Sequence, residues 1–278
     1  MKTRIITGAV LILACIPVAV YSATLALPIV AALLSILGVF EMYRCIGLAK
    51  CPALLVPAML IGAAEPLLAY FMRGDMQRFG IQALVVAFLF LFYTFSLSVF
   101  SHGTLTPGKT SLAVTMLLYI CISFACVVLL RHMEHGQYTM YLVFIGAWVT
   151  DIFAYFTGMF IGKHKLIPDV SPKKTVEGAI GGVIFCTGAF LLYAVFISRL
   201  SGRSPSYFGF ALIGVFVSVL SQMGDLIMSW VKRRYSIKDY GKIFPGHGGV
   251  LDRFDSVLAT APFCFLLCVI YHTCFGLL

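Results

Sequence analysis

The sequence predicts an all-α, polytopic membrane protein of about nine transmembrane helices with its N-terminus inside. Three observations lead there. Of the 278 residues, 61% are hydrophobic and only 11% charged, with a mean hydropathy of +1.00. Soluble domains run at roughly 45–50% apolar and about 25% charged, so much of this apolar surface must face something other than water. A soluble enzyme is excluded, as is a disordered chain, which needs low hydrophobicity. The apolar residues also come in continuous runs rather than the apolar–polar alternation of a transmembrane β-barrel. Finally, the basic residues fall on alternate sides of those runs.

The runs lie near 5–22, 25–42, 51–72, 81–100, 111–130, 140–162, 179–198, 207–230 and 256–277. Each is close to the about 20 residues that a helix needs to cross the bilayer core. The first starts after Lys2 and Arg4 and ends at Tyr21-Ser22-Ala23, which resembles a signal peptide. Because the chain passes straight into a further run, 5–22 reads as a retained helix. With the N-terminus inside, 15 basic residues lie on the cytoplasmic side and five (Arg73, Arg78, Arg131, Arg199 and Arg203) on the other, as the positive-inside rule requires. Residues 1–140 read as N-terminal membrane helices. Residues 141–278 read as a catalytic membrane region with cytoplasmic loops at 163–178 and 232–255. The net charge of +9 is this bias plus two basic loops, so it points to anionic lipid headgroups and nucleotide phosphates rather than nucleic acid.

The nine cysteines, at 15, 45, 51, 121, 126, 186, 264, 268 and 274, include no CxxC pair and read as small hydrophobes. Only eleven acids exist. Glu41, Asp75, Glu134 and Asp169 stand near span ends or in loops, where a solvated role suffices. Glu65, before Pro66, fits an interhelical partner. Asp151 and Asp225 lie inside spans, where a charge costs roughly 2.5–3.5 kcal/mol. Ser221, Gln222, Asp225, Ser229 and Lys232 follow helical spacing and form one polar stripe, either the wall of a water-filled cavity or a packing seam. Asp151, Tyr155, Gly158 and Gly162 repeat that geometry, and there the glycines equally suit close helix approach.

Each of these spans runs into a basic loop. Lys163, Lys165, Lys173 and Lys174 stand near Ser171, Thr175 and Glu177, and Lys232-Arg233-Arg234 leads to Pro245-Gly246-His247-Gly248-Gly249. Glycine-rich backbone can approach a phosphate. Asp252 and Asp255, three apart, project the same way on a helical turn and suit Mg²⁺, which takes one or two carboxylates plus substrate phosphates. Lys and Arg beside them neutralise polyphosphate oxygens. The residues alone describe a membrane enzyme that handles phosphates with a divalent metal.

Ser229, Lys232-Arg233, Lys238-Asp239, Pro245-x-His247-Gly248-Gly249 and Asp252-Arg253-x-Asp255, spread over 27 residues, resemble the signature of the phosphatidate cytidylyltransferases, the CDP-diacylglycerol synthases. Gln222-x-Gly224-Asp225 and Ser171-Pro172-Lys173-Lys174-Thr175-x-Glu177-Gly178 also resemble segments of that family. The resemblance implies cytidylyl transfer from CTP to phosphatidic acid for phospholipid synthesis, Mg²⁺ as cofactor, and a homodimer in the cytoplasmic membrane with its site facing the cytoplasm. On that basis Asp225, Asp252 and Asp255 are expected at the metal, and Lys232, Arg233 and Arg253 at phosphates. Ser171, Lys173, Lys174, Thr175 and Glu177 are expected on the opposing loop toward nucleotide or pyrophosphate. Ser229, Lys238 and a phosphate-approach turn of His247, Gly248 and Gly249 complete the substrate set. Asp151 fits either a supporting residue or a structural partner. A polyprenol kinase or a cytidylyltransferase for another lipid phosphate would need similar residues. A secondary transporter would share the intramembrane Asp residues, but no inverted repeat is visible and the polar residues gather at one mouth.

Overall fold

The computed structural model describes residues 8, 13–101, 103, 105–202, 204–246 and 248–275. Among them, eight helices are long and apolar enough to cross a membrane. They are α1 (Ala26–Cys45), α2 (Pro52–Phe71), α3 (Met76–Phe100), α4 (Pro107–His132), α5 (Gly136–Ile161), α6 (Val176–Ser201), α7 (Tyr207–Arg234) and α8 (Leu251–Phe275). These are the second to ninth apolar runs, and the chain is an integral membrane protein. Of the first run, residues 8 and 13–22 are described, with 13–20 helical, and the rest lie outside the described residues.

The helix boundaries follow from local chemistry. Gly47, at φ +79°, ends α1, with Leu48 N–H returning to Tyr43 O at 2.7 Å, a left-handed stop that glycine adopts without strain. Pro52 opens α2 at a position where its missing N–H has no partner to lose. Asp75, Thr175 and Ser206 cap α3, α6 and α7 by accepting from the amides of Arg78, Gly178 and Gly209, each side chain satisfying one otherwise orphaned donor.

The chain forms two compact units, Met1–His132 with Ile237–Arg253, and Met133–Ser236 with Phe254–Leu278. In the first, α4 packs on α1, α2 and α3, and its Leu117, Ile120, Phe124 and Val128 are buried. α3 buries only Phe90 and Thr94. Its exposed Leu84, Phe88, Phe92 and Phe100 would be a defect in water but match a hydrocarbon solvent. Glu65 accepts from Gln82 Nε2 at 3.0 Å, which makes it the interhelical partner the sequence suggested.

In the second unit, α5 packs on α6 and α7, and α6 on α7. The α5–α6 contact depends on small residues. A Cβ at Gly158 would stand 2.7 Å from Thr175 Oγ1, and one at Gly178 would stand 2.6 Å from Ala154 O. Glycine at such positions lets membrane helices approach closely. Gly178→Ala should therefore destabilise the protein by about 1–3 kcal/mol, because the obstructing atom is backbone; a lower melting temperature in detergent is the readout. All eight described cysteines whose side chains are placed are free, and five are buried.

One element departs from the helical expectation. Lys165–Ile167 (β1) and Ser171–Thr175 (β2) form an antiparallel hairpin, pairing Lys165 with Thr175 and Ile167 with Ser171. The segment is too polar to enter the membrane, and Pro168 and Pro172 deny it a helix. A short two-stranded ribbon tolerates Pro172 because no third strand needs its N–H.

Candidate active site

The hairpin is fixed to the ends of the helices around it. Thr175, at the end of β2, caps α6, and Val176 N–H donates to His164 O at 2.9 Å. Glu177, in the first turn of α6, folds back across the loop. Its carboxylate accepts from His164 Nδ1 at 2.6 Å and from the amides of Lys163 and His164 at 3.1–3.3 Å. On the far side, Arg233 Nε donates to Val170 O at 3.2 Å, holding the hairpin's turn against the end of α7. The hairpin is thus a rigid platform whose Lys173 side chain is exposed.

From this platform Lys174 reaches Asp225 on α7. Its Nζ lies 2.6 Å from Asp225 Oδ2, and Ser229 Oγ donates to Asp225 Oδ1 at 3.2 Å. Asp255 in α8 interacts electrostatically with Asp225, Asp151 and Lys232. Asp151, from α5, accepts from Ser256 Oγ at 2.9 Å. Gly224 makes the α7–α8 approach possible, since a Cβ there would collide with Ala259 and stand 2.9 Å from Asp255 O. Three carboxylates from three helices thus gather with two lysines near the polar end of the unit.

The polar stripe on α7 divides into two parts. Gln222 donates to Ala179 O at 3.1 Å and Thr150 donates to Ser218 Oγ at 2.9 Å. Ser221 and Gln222 are buried, so this end is a packing seam. Asp225, Ser229 and Lys232 form the charged end.

In the first unit, residues 237–246 and 248–250 are irregular and lead into the start of α8. Phe244 and Gly248 bridge through Phe244 N–H to Gly248 O at 2.9 Å, with Gly246 and Gly248 at φ +76° and +86°. Side chains rarely adopt that left-handed backbone, which accounts for the glycines. Asp252 Oδ2 accepts from Tyr240 N at 2.7 Å and Gly249 N at 2.9 Å. Glu41 does not stand in solvent, as its place near a span end suggested. It is 1% exposed, and its two oxygens accept from Val250 N at 3.0 Å and Leu251 N at 2.9 Å. No residue pattern marks this pairing, because its partners are backbone amides more than 200 residues away.

The second unit therefore brings together Asp225, Asp255, Lys174, Ser229 and Lys232, with Arg233 and Thr175 anchoring the hairpin, and adds Asp151 and Ser256. Ser171 is half-buried in β2; in the first unit Lys238 and Arg253 are exposed, Asp252 and Gly249 are buried and Gly248 is half-buried. His247 lies outside the described residues. Among the described residues, no three metal-binding side chains enclose an ion by themselves. The hard oxygens of Asp225 and Asp255 still fit Mg²⁺, which binds through one or two carboxylates and completes its shell with water and phosphate oxygens. Three carboxylates facing two lysines also leave a negative excess that a cation would neutralise.

Residues 2–271 match the cytidylyltransferase family. The chain belongs to that family. It is 32% identical over 275 residues to the phosphatidate cytidylyltransferase of Bacillus subtilis (strain 168), covering 98% of each chain. It is 31% identical over 264 residues to that of Staphylococcus haemolyticus (strain JCSC1435), covering 94% of this chain and 96% of the relative. With the enzyme of Brucella abortus biovar 1 (strain 9-941) it shares 41% over 156 residues, 56% of each chain. Family membership makes the protein a transferase, and the match extends well beyond the C-terminal signature into the N-terminal helices.

Proposed function

We propose that the protein transfers the cytidylyl group of CTP to phosphatidic acid, giving CDP-diacylglycerol and pyrophosphate. The observation that carries this reading, beside the family, is the cluster of Asp225, Asp255 and Asp151 with Lys174 and Lys232 on membrane helices next to a basic hairpin. An anionic lipid phosphate must meet a polyanionic nucleotide there, so the chemistry needs cations and a path for lipid tails. Membrane helices supply the second without extracting the lipid from the bilayer.

A phosphate oxygen of phosphatidic acid attacks the α-phosphorus of CTP. The new P–O bond forms as the bond to the bridging oxygen breaks, and its electron pair leaves with pyrophosphate. The second pKa of a phosphate monoester is about 6, so the attacking oxygen is already ionised and no strong base is needed. Catalysis is positioning and charge neutralisation. Lys174, Lys232 and the exposed Lys173 neutralise phosphates, and Ser229 and Lys174 orient Asp225. The family signature supports Asp225, Asp255 and Asp252 as carboxylates for Mg²⁺, which would supply Lewis-acid stabilisation of phosphoryl charge. The positive-inside bias supports a site on the cytoplasmic face of the cytoplasmic membrane. The family resemblance supports a homodimer, which the mass of the purified protein–detergent complex checks.

Sealed vesicles test reaction and orientation together, because CTP does not cross a bilayer. Inside-out vesicles should release pyrophosphate only when both CTP and phosphatidic acid are present, and right-side-out vesicles only after permeabilisation. Pyrophosphate release without lipid, or preference for a polyprenol or another lipid phosphate over phosphatidic acid, would refute the assignment.

A further inference from the structure

We infer that Glu41, on the first transmembrane helix of the structure, is a positioning residue that sets the orientation of Asp252 through the start of α8. The inference rests on the reading of Asp252 as part of the catalytic centre. Three consecutive amides at this helix start each donate to a carboxylate: Gly249 to Asp252 Oδ2, Val250 to Glu41 Oε1 and Leu251 to Glu41 Oε2. A helix N-terminus with converging N–H groups is the ordinary place for an anion to sit. Here a carboxylate of the protein fills it, so the phosphates of a substrate must bind elsewhere.

The surroundings are shaped to this one side chain. A Cβ at Gly249 or at Gly241 would collide with the Glu41 carboxyl. Arg44, one turn further along α1, donates to Tyr240 O, and Tyr240 N–H is the other donor to Asp252. Glu41 also interacts electrostatically with both Asp252 and Arg44. The end of α1 therefore grips the segment at two points, Tyr240 and Val250–Leu251, on either side of the Phe244–Gly248 bridge. Asp252 is tied to the first of these points through Tyr240 and, through Gly249, to the residue adjoining the second. Its carboxylate cannot turn without either breaking those bonds or moving backbone that Glu41 and Arg44 hold. Such supporting hydrogen bonds orient a ligand carboxylate and tune its affinity for a cation.

The test is Glu41→Gln, which keeps the volume but offers one acceptor to two amides. Hydrogen exchange at residues 249–251 should quicken, and the Mg²⁺ concentration for half-maximal pyrophosphate release should rise at least about tenfold. The KM for phosphatidic acid should not change, and excess Mg²⁺ should restore most of kcat. A merely structural role would lower kcat along with the folded fraction and leave the Mg²⁺ half-saturation where it was; that result, or unchanged exchange, overturns the inference. Gly249→Ala provides a second variant. It should reproduce the Mg²⁺ shift alone and add nothing in a Glu41→Ala background, whereas additive effects would show that the two residues act separately. If Asp252→Asn leaves turnover intact, the reading of the catalytic centre fails. A normal Mg²⁺ response in Glu41→Gln beside an inactive Asp252→Asn refutes only the positioning role.

Discussion

Asp225→Asn should reduce cytidylyl transfer at least about a hundredfold, or about 2.7 kcal/mol of transition-state stabilisation at 1.36 per tenfold. The fold should survive. Asn keeps the volume and an acceptor for Ser229, which bonds the native Oδ1, and an amide is cheaper to place in a membrane helix than a charge. The lost ion pair with Lys174 is modest in stability terms. The two side chains are 23% and 26% exposed, so the lysine can turn toward water, and a cost of about 1 kcal/mol or less is expected. The functional loss has a different origin. Without its charge Asp225 neither orders Lys174 nor presents a hard anionic oxygen beside Asp255. Turnover by the purified variant, measured beside its melting curve in detergent, decides the matter: near-normal turnover with an unchanged melt would reduce Asp225 to a packing residue.

The membrane fold was legible because the bilayer imposes one length on every span. Continuous apolar runs of that length gave α1 to α8, whereas their ends, such as the stop at Gly47 and the start at Pro52, came only with the structure. The hairpin at Lys165–Thr175 was not legible as strands, since a short polar segment with two prolines carries no alternation to read. At the site, helical spacing correctly put Asp225, Ser229 and Lys232 on one face of α7. It could not divide the stripe into a buried seam at Ser221 and Gln222 and a charged end, because that depends on Ala179 in another helix. Spacing likewise says nothing of Ser256 donating to Asp151 across 105 positions. Glu41 escaped for the strongest version of the same reason. A carboxylate near the end of a span looks solvated unless its partners are known, and its partners are main-chain amides with no side-chain signature.

The residue types at the candidate site also separate two tasks that the sequence merged into one signature. Glu177, Arg233 and Thr175 spend their hydrogen bonds on His164, Val170 and Gly178, and so build the platform from which Lys173 and Lys174 project. Arg233 can still offer its other guanidinium donors to a phosphate, but Glu177, an anion already facing three donors, acts by shaping the loop.

Asp252 poses the same question of task most sharply, and a pair of substitutions answers it. One oxygen already serves Tyr240 and Gly249, so the residue is at least a turn lock. If that is all, Asp252→Asn should be mild, because the amide oxygen still accepts from both N–H groups. Asp252→Ala, which abandons them, should then be the damaging change, costing about 0.5–2 kcal/mol in the manner of a lost helix cap. If the charge takes part in phosphate chemistry, Asn should be nearly as inactive as Ala although it melts close to the native protein. We expect the second pattern. Turnover should fall at least about a hundredfold in both variants, with the melting temperature lowered clearly only in Asp252→Ala. Metal binding gives the finer distinction: Mg²⁺ titrated calorimetrically in the presence of CTP should bind far more weakly to Asp252→Asn. Undiminished Mg²⁺ affinity in that variant would remove Asp252 from the ligand set even if activity were lost.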